Sequence, residues 1–81
     1  MIVKYKYIGI PIKELGSQIH RIEVHEDSNV EKLIRKISNE NKTDINYLKN
    51  CNYMINNKRA DLKTKLKDGD YVLIMKALGG G

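Results

Sequence analysis

A single cysteine, Cys51, stands in the whole chain of 81 residues, so neither an internal disulfide nor a cysteine-rich zinc cluster can form. No signal segment with a charged start, an apolar middle and small residues opens the sequence, and a reducing cytoplasm is the expected location. Long apolar runs are missing as well. Those present, such as Tyr71 to Met75, fall far short of the roughly 20 residues that a membrane-spanning helix needs, so a soluble protein with no membrane partner is expected. Repeats and low-complexity tracts are absent. The chain is too short to cover two hydrophobic cores, and a domain of this size buries only about 60% of its unfolded surface. That leaves no room for a large internal active-site cavity.

What is present is enough to fold one module: 41% of the residues are apolar and 31% charged. Fifteen Lys and Arg against ten Asp and Glu leave a net charge of +5. Such an excess favours acidic partners but is modest beside that of a dedicated nucleic-acid binder.

From Met1 to Ile8, Lys4 and Lys6 alternate with Val3, Tyr5 and Tyr7, the period-two pattern of a strand with one wet and one buried face. Gly9 and Pro11 interrupt it, Gly16 and Ser17 supply turn chemistry, and Gln18 to His25 resumes as the second arm of an antiparallel hairpin. Ile10, Ile12 and Leu15 in the connecting loop should fold back on the core. Ser28-Asn29-Val30-Glu31 reads as a capping box, in which the serine oxygen takes the glutamate amide and the glutamate returns to the serine amide. Val30, Leu33, Ile34 and Ile37 then follow at helical spacing, and the helix should end near Asn39 to Asn41. The Asn-rich stretch beyond it is a connector, with one short helical turn after Thr43 or Asp44 anchored by Ile45, Tyr47 and Leu48. Cys51 to Asn56 alternates as a third strand, and Asn56-Asn57 supplies a turn. Lys58 to Lys67 reads as basic and mostly irregular. Asp68-Gly69-Asp70 makes a tight turn into a last strand, in which Val72 and Ile74 face one way and Tyr71, Leu73 and Met75 the other. One helix packed on one face of a mixed sheet of four to five strands buries all these stripes. That is an α+β fold of the β-grasp kind, with residues 1–77 as the domain and 78–81 as a tail.

The tail is Leu78-Gly79-Gly80-Gly81. Without side chains or stabilising contacts it should be mobile and extended, spanning at most about 13 to 14 Å, and could thread a narrow channel where any Cβ would collide. The order of elements, the turn Leu66-x-Asp68-Gly69-Asp70 and the distance from Gly69 to the end resemble the sulfur-carrier family of ubiquitin-like proteins (MoaD/ThiS type), whose members end in Gly-Gly. Lys13-Glu14-Leu15-Gly16 and Asn29-Val30 are most similar to motifs of the small subunit of molybdopterin synthase. The resemblance implies a carrier rather than an enzyme: Gly81, preceded by Gly80, would be adenylated by an E1-like enzyme using ATP and Mg and converted to a thiocarboxylate. The tail would then enter a large synthase subunit or another sulfur acceptor. It also implies no bound cofactor and no metal. A thiamine-pathway carrier and a ubiquitin-like protein modifier, which would form isopeptide bonds through the same activated glycine, are the alternatives.

Alternation leaves Tyr71, Leu73 and Met75 opposite the core side chains, where they could form a partner surface. By resemblance this side of the sheet meets the activating enzyme, with Met75 nearest the tail and Tyr7 and Arg59 as further candidates. Lys58, Arg59, Lys63, Lys65 and Lys67 form the densest basic stretch, more often a solvated face than a site. His20 and His25, five apart on one strand, should point to opposite faces and cannot share a metal. Cys51 reads as a small buried residue, and Asp68 and Asp70 read as turn formers. Lys4-Tyr5-Lys6-Tyr7 could serve a nucleic-acid module, but strand alternation opposes showing both residue types on one face.

Overall fold

The computed structural model describes residues 1–76. Its elements are β1 (Ile2–Ile8), β2 (His20–Glu23), α1 (Val30–Asn41), α2 (Ile45–Lys49), β3 (Asn52–Ile55), β4 (Lys58–Ala60) and β5 (Tyr71–Met75). The strands form one mixed sheet in the order β2-β1-β5-β3-β4. β1 and β5 run parallel, and β2, β3 and β4 pair antiparallel with their neighbours.

Val3, Tyr5, Tyr7, Ile22, Tyr53, Val72 and Ile74 on one face of the sheet are buried together with Val30, Leu33, Ile34 and Ile37 of α1. The apolar stripe expected of the helix is thus its buried side, each such side chain contributing roughly 1.5–3 kcal/mol. Leu15 folds under the sheet and is fully buried, Ile12 packs at the core's margin, and Ile10 stays exposed.

The helix start departs from the expected capping box. Asn29 is the N-cap, its side-chain oxygen accepting the Lys32 amide at 2.9 Å, one residue later than the serine cap would place it. The reason is tertiary. The segment 62–66 crosses the helix start, where the Thr64 and Leu62 carbonyls accept the Val30 and Glu31 amides at 3.0 and 2.9 Å. With those donors satisfied, Ser28 is buried and its carbonyl accepts the Leu66 amide. The Glu31 side chain turns instead to Arg35 and Lys49, at 3.3 and 3.4 Å, and these cations hold its carboxyl below the usual range. Lys42, with φ +54°, ends α1 in the left-handed conformation. Asp44 caps α2 as expected, and Leu48 is its buried anchor.

β4 is a strand within the stretch read as irregular. Asn56 and Asn57 both have positive φ, +51° and +69°, and Ile55 pairs with Lys58 across them. This is a two-residue hairpin loop of the I′ kind. β2 is shorter than the expected Gln18 to His25: its ladder with β1 runs from His20 to Glu23, with Val24 adding two backbone bonds to Met1, each 2.8 Å. The turn before β5 is as expected: Gly69 has φ +85°, Asp70 accepts from the Lys67 amide and the Asn56 amide group, and Asp68 accepts the Ile2 amide at 2.7 Å.

Candidate functional site

β5 occupies the middle of the sheet and leads to the sequence end, so the residues around its last turn of alternation define the candidate site. The β1–β5 ladder is closed at its two ends by the bonds from the Lys4 amide to the Asp70 carbonyl and from the Lys76 amide to the Ile8 carbonyl, both 2.9 Å. At the second of these, β1 turns away through Gly9, whose φ of +138° strongly favours glycine. A Cβ there would lie 2.5 Å from the Lys76 carbonyl oxygen, so the bare backbone of Gly9 is what lets Lys76 approach. On the core side, the Tyr7 hydroxyl donates to the Ile10 carbonyl at 2.6 Å and lies 2.9 Å from the Tyr47 hydroxyl. Lys76 Nζ sits over the Tyr47 ring, 5.4 Å from its centroid, within cation–π range. Burial, reinforced by the bond to Tyr47, raises the Tyr7 pKa.

The outer face of the sheet follows from the pairing register. Tyr71, Leu73 and Met75 of β5 stand beside Lys4, Lys6 and Ile8 of β1. On the other flank Leu73 meets Met54 and Met75 meets Asn52. Arg59 then pairs with Met54, and Arg21 with Lys4. Tyr71, Leu73, Met75 and Met54 are half-buried, while Lys4, Arg21 and Arg59 are exposed. Beside this face a groove of about 710 Å³ runs past Met75, Met54, Arg59, Leu62 and Lys63 down to Cys51.

Tyr71, Leu73 and Met75 therefore share the face opposite the core, joined by Arg59. Tyr7 does not join them. It is 2% exposed on the core face, since the odd residues of β1 point inward, and it supports the site from beneath rather than presenting a surface. Leu78, Gly79, Gly80 and Gly81 lie outside the described residues. Lys6, Ile8, Met54, Gly9 and Tyr47 are the residues that sequence reasoning passed over. The alternation of β1 already put Lys4 and Lys6 outward, but their neighbours became visible only once β1 was known to lie beside β5.

The other candidates resolve into structure. Cys51 is 8% exposed, its thiol donates to the Tyr47 carbonyl at 3.4 Å, and burial pushes its pKa up against the opposing charge of Lys76. His20 stacks on Tyr5 at 4.8 Å and bonds the Leu15 carbonyl at 2.6 Å, whereas His25 is exposed. Among the described residues no group of three His, Cys, Asp or Glu side chains could hold a metal ion, and no helix is long and apolar enough to cross a membrane. Tyr5 and Tyr7 are both buried, so Lys4-Tyr5-Lys6-Tyr7 offers no stacking platform for bases.

Parallel first and last strands at the centre of a five-stranded mixed sheet, with a helix laid across one face, define a ubiquitin-like β-grasp protein. The model of the ThiS family matches residues 6–81, and the chain belongs to that family. No curated protein matches it in sequence. Among solved structures it is similar to SAMP1 from Haloferax volcanii, at TM-score 0.75 and 17% identity with all of both chains covered. It is also similar to a putative molybdopterin converting factor subunit 1 from Pyrococcus furiosus, at TM-score 0.75 and 24% identity over 95% of this chain and 98% of that one. A third is the complex of subunits 1 and 2 of the molybdopterin-converting factor from Helicobacter pylori, at TM-score 0.64 and 29% identity with all of both chains covered.

Proposed function

We propose that this protein is a sulfur carrier that works through the carboxylate of Gly81 and is not itself an enzyme. The observation that carries the reading is the ThiS-family match, which runs through the Gly79-Gly80-Gly81 end. Among the described residues the buried side-chain polar atoms, Thr43 Oγ1 excepted, have hydrogen-bond partners, which suits a scaffold better than a catalyst.

The chemistry required is simple to balance. A free carboxylate is a poor electrophile, so its oxygen attacks the α-phosphate of ATP on an E1-like enzyme, with Mg assisting, and pyrophosphate leaves. A sulfide-level nucleophile then adds to the acyl carbon, the C–O bond to AMP breaks, and a thiocarboxylate remains. The domain supplies no cofactor of its own to these steps. Met75, Leu73 and Tyr71, with Arg59, form the surface that meets the activating enzyme, and Gly80, Gly79 and Leu78 reach its active site.

The similarity to the Helicobacter pylori pair supports molybdopterin synthesis as the destination, with a large synthase subunit as acceptor. The family model equally suits a thiamine-pathway acceptor. Incubation with the adenylating enzyme encoded in the same genome, ATP, Mg and a sulfide source should raise the intact mass by the difference between one sulfur and one oxygen atom. Deletion of Gly80 and Gly81 should abolish that gain without altering thermal unfolding. An unchanged mass would overturn the carrier reading, and isopeptide conjugates of Gly81 on cellular lysines would make the protein a modifier instead.

A further inference from the structure

Among the described residues, β2 and β4 form the two edges of the sheet. β4 is three residues long and presents two adjacent cations, Lys58 and Arg59, the kind of short, charged edge that discourages further pairing. β2 is different. The amides of Ile2 and Lys4 bond Asp68 and Asp70, just before β5, whereas Met1 and Val24 exchange both backbone bonds. In an antiparallel ladder these two kinds of pair alternate, so Arg21 and Glu23, which stand opposite Lys4 and Ile2, turn their amides and carbonyls away from β1 to the edge. Among the described residues, the partner of these four groups is the Lys36 ammonium, donating to the Glu23 carbonyl. Both side chains are exposed, and neither enters an ion pair among the described residues. Arg21 has Lys4 on its inner flank and Glu23 has Ile2, so the outer flank of one calls for an acid and that of the other for a base.

We propose that two copies of this chain join through β2, antiparallel about a two-fold axis at Ile22, into one continuous sheet. Symmetry and charge select this register together. A two-fold pairing of outward groups can be centred on His20, Arg21, Ile22 or Glu23. Centring on Arg21 opposes two arginines, and centring on Glu23 opposes two glutamates. Centring on His20 sets Arg21 against Ile19 and Glu23 against Ser17. The Ile22 centre alone sets Arg21 against Glu23, and it does so twice, with the backbone bonds of a close antiparallel pair at each. One step further, Ile19, at 55% the most exposed large apolar side chain among the described residues, meets His25 of the second copy. The Lys36 ammonium yields the Glu23 carbonyl to the second copy's amide and returns to water. An extended segment of another protein would fill the same hydrogen bonds, but a second copy necessarily brings a glutamate to Arg21 and an arginine to Glu23 at the one spacing. The axis stands perpendicular to the sheet, so both α1 helices stay on one face and β5, third from the seam in each copy, keeps its end and its outer face free. The pairing is therefore compatible with the carrier reading and does not depend on it.

The test is sedimentation equilibrium of the full chain at neutral pH, which should show reversible dimers at concentrations up to about 1 mM. Arg21→Glu alone, or Glu23→Arg alone, sets like charges face to face and should weaken the dimer at least about tenfold. The double exchange, Arg21→Glu with Glu23→Arg, should restore it to within about threefold. An equal mixture of the two single variants should recover in the same way, because each copy then carries the charge the other lacks. A variant that failed to fold could not produce that recovery. A native chain that stays monomeric over this range overturns the proposal and leaves the edge to an extended segment of another protein. Dimers indifferent to both single reversals overturn it as well, since another face would then be forming them. So does a mixture no more dimeric than its two components.

Discussion

The Tyr7 hydroxyl lies 2.9 Å from that of Tyr47 and donates its one proton to the Ile10 carbonyl, so Tyr47 must be the donor between the two. This short chain of bonds joins the end of β1, the loop after it and α2 directly beneath Lys76. Tyr47→Phe removes a single bond and should cost about 1 kcal/mol in urea unfolding. Tyr7→Phe leaves both the Ile10 carbonyl and the Tyr47 hydroxyl without their partner and should cost more, about 2 kcal/mol.

Gly9 and Gly69 both have positive φ, but only Gly9 faces an obstacle: a Cβ there meets the Lys76 carbonyl, and one at Gly69 meets nothing within 4 Å. Gly69→Ala should therefore cost only the backbone strain, about 1 kcal/mol. Gly9→Ala should cost up to about 3 kcal/mol and displace the Lys76 amide resonance in a nitrogen–proton correlation spectrum. A spectrum unchanged at Lys76 would contradict the close approach.

In the β3–β4 loop the two asparagines are not equivalent. Asn56 donates to Asp70 at 2.9 Å and accepts the Tyr71 amide at 3.0 Å, while Asn57 contributes chiefly its positive φ. Asn57→Gly should be neutral or slightly stabilising, and Asn56→Gly destabilising by about 1–2 kcal/mol, as thermal melts will show.

Alkaline pH should unfold the domain through its buried acids. Burial pushes the Tyr53 phenol up to about 12 and raises Cys51 and Tyr7 as well. In the unfolded chain such groups ionise near their ordinary values, roughly 8.5 for cysteine and 10 for tyrosine. Above those values the unfolded state binds fewer protons than the folded state. Stability is thus intact below about pH 8.5 and falls as pH rises towards 12. Tyr53→Phe should be less stable at neutral pH, having lost the bond to the Leu48 carbonyl, yet show a shallower decline above pH 10. Melting temperature against pH for both proteins decides the matter.

Local pattern was sufficient where burial and period coincide. Val30, Leu33, Ile34 and Ile37 could only be an inward helical stripe, and Val72 and Ile74 an inward strand face. It failed where a distant segment intervened. The shift of the cap from Ser28 to Asn29 depends on Thr64 and Leu62 arriving at the helix start, which no local motif encodes. β4 has only Lys58, Arg59 and Ala60, too short for a visible alternation; its one local signal was the Asn56-Asn57 pair. Family likeness puts Tyr7 on the partner surface, whereas its own alternation with Lys6 puts it inside, where the structure has it. Arg59 reaches the outer face only through its register with Met54.

The central place of β5, held by β1 in parallel on one side and β3 in antiparallel on the other, also governs how the domain bears load. A pull transmitted through Lys76 runs along the strand axis and strains both ladders in shear, so many backbone bonds resist together instead of parting one after another. A partner can therefore tug on this end against both ladders at once, and mechanical failure should require the bonds of β5 to β1 and to β3 to give way together.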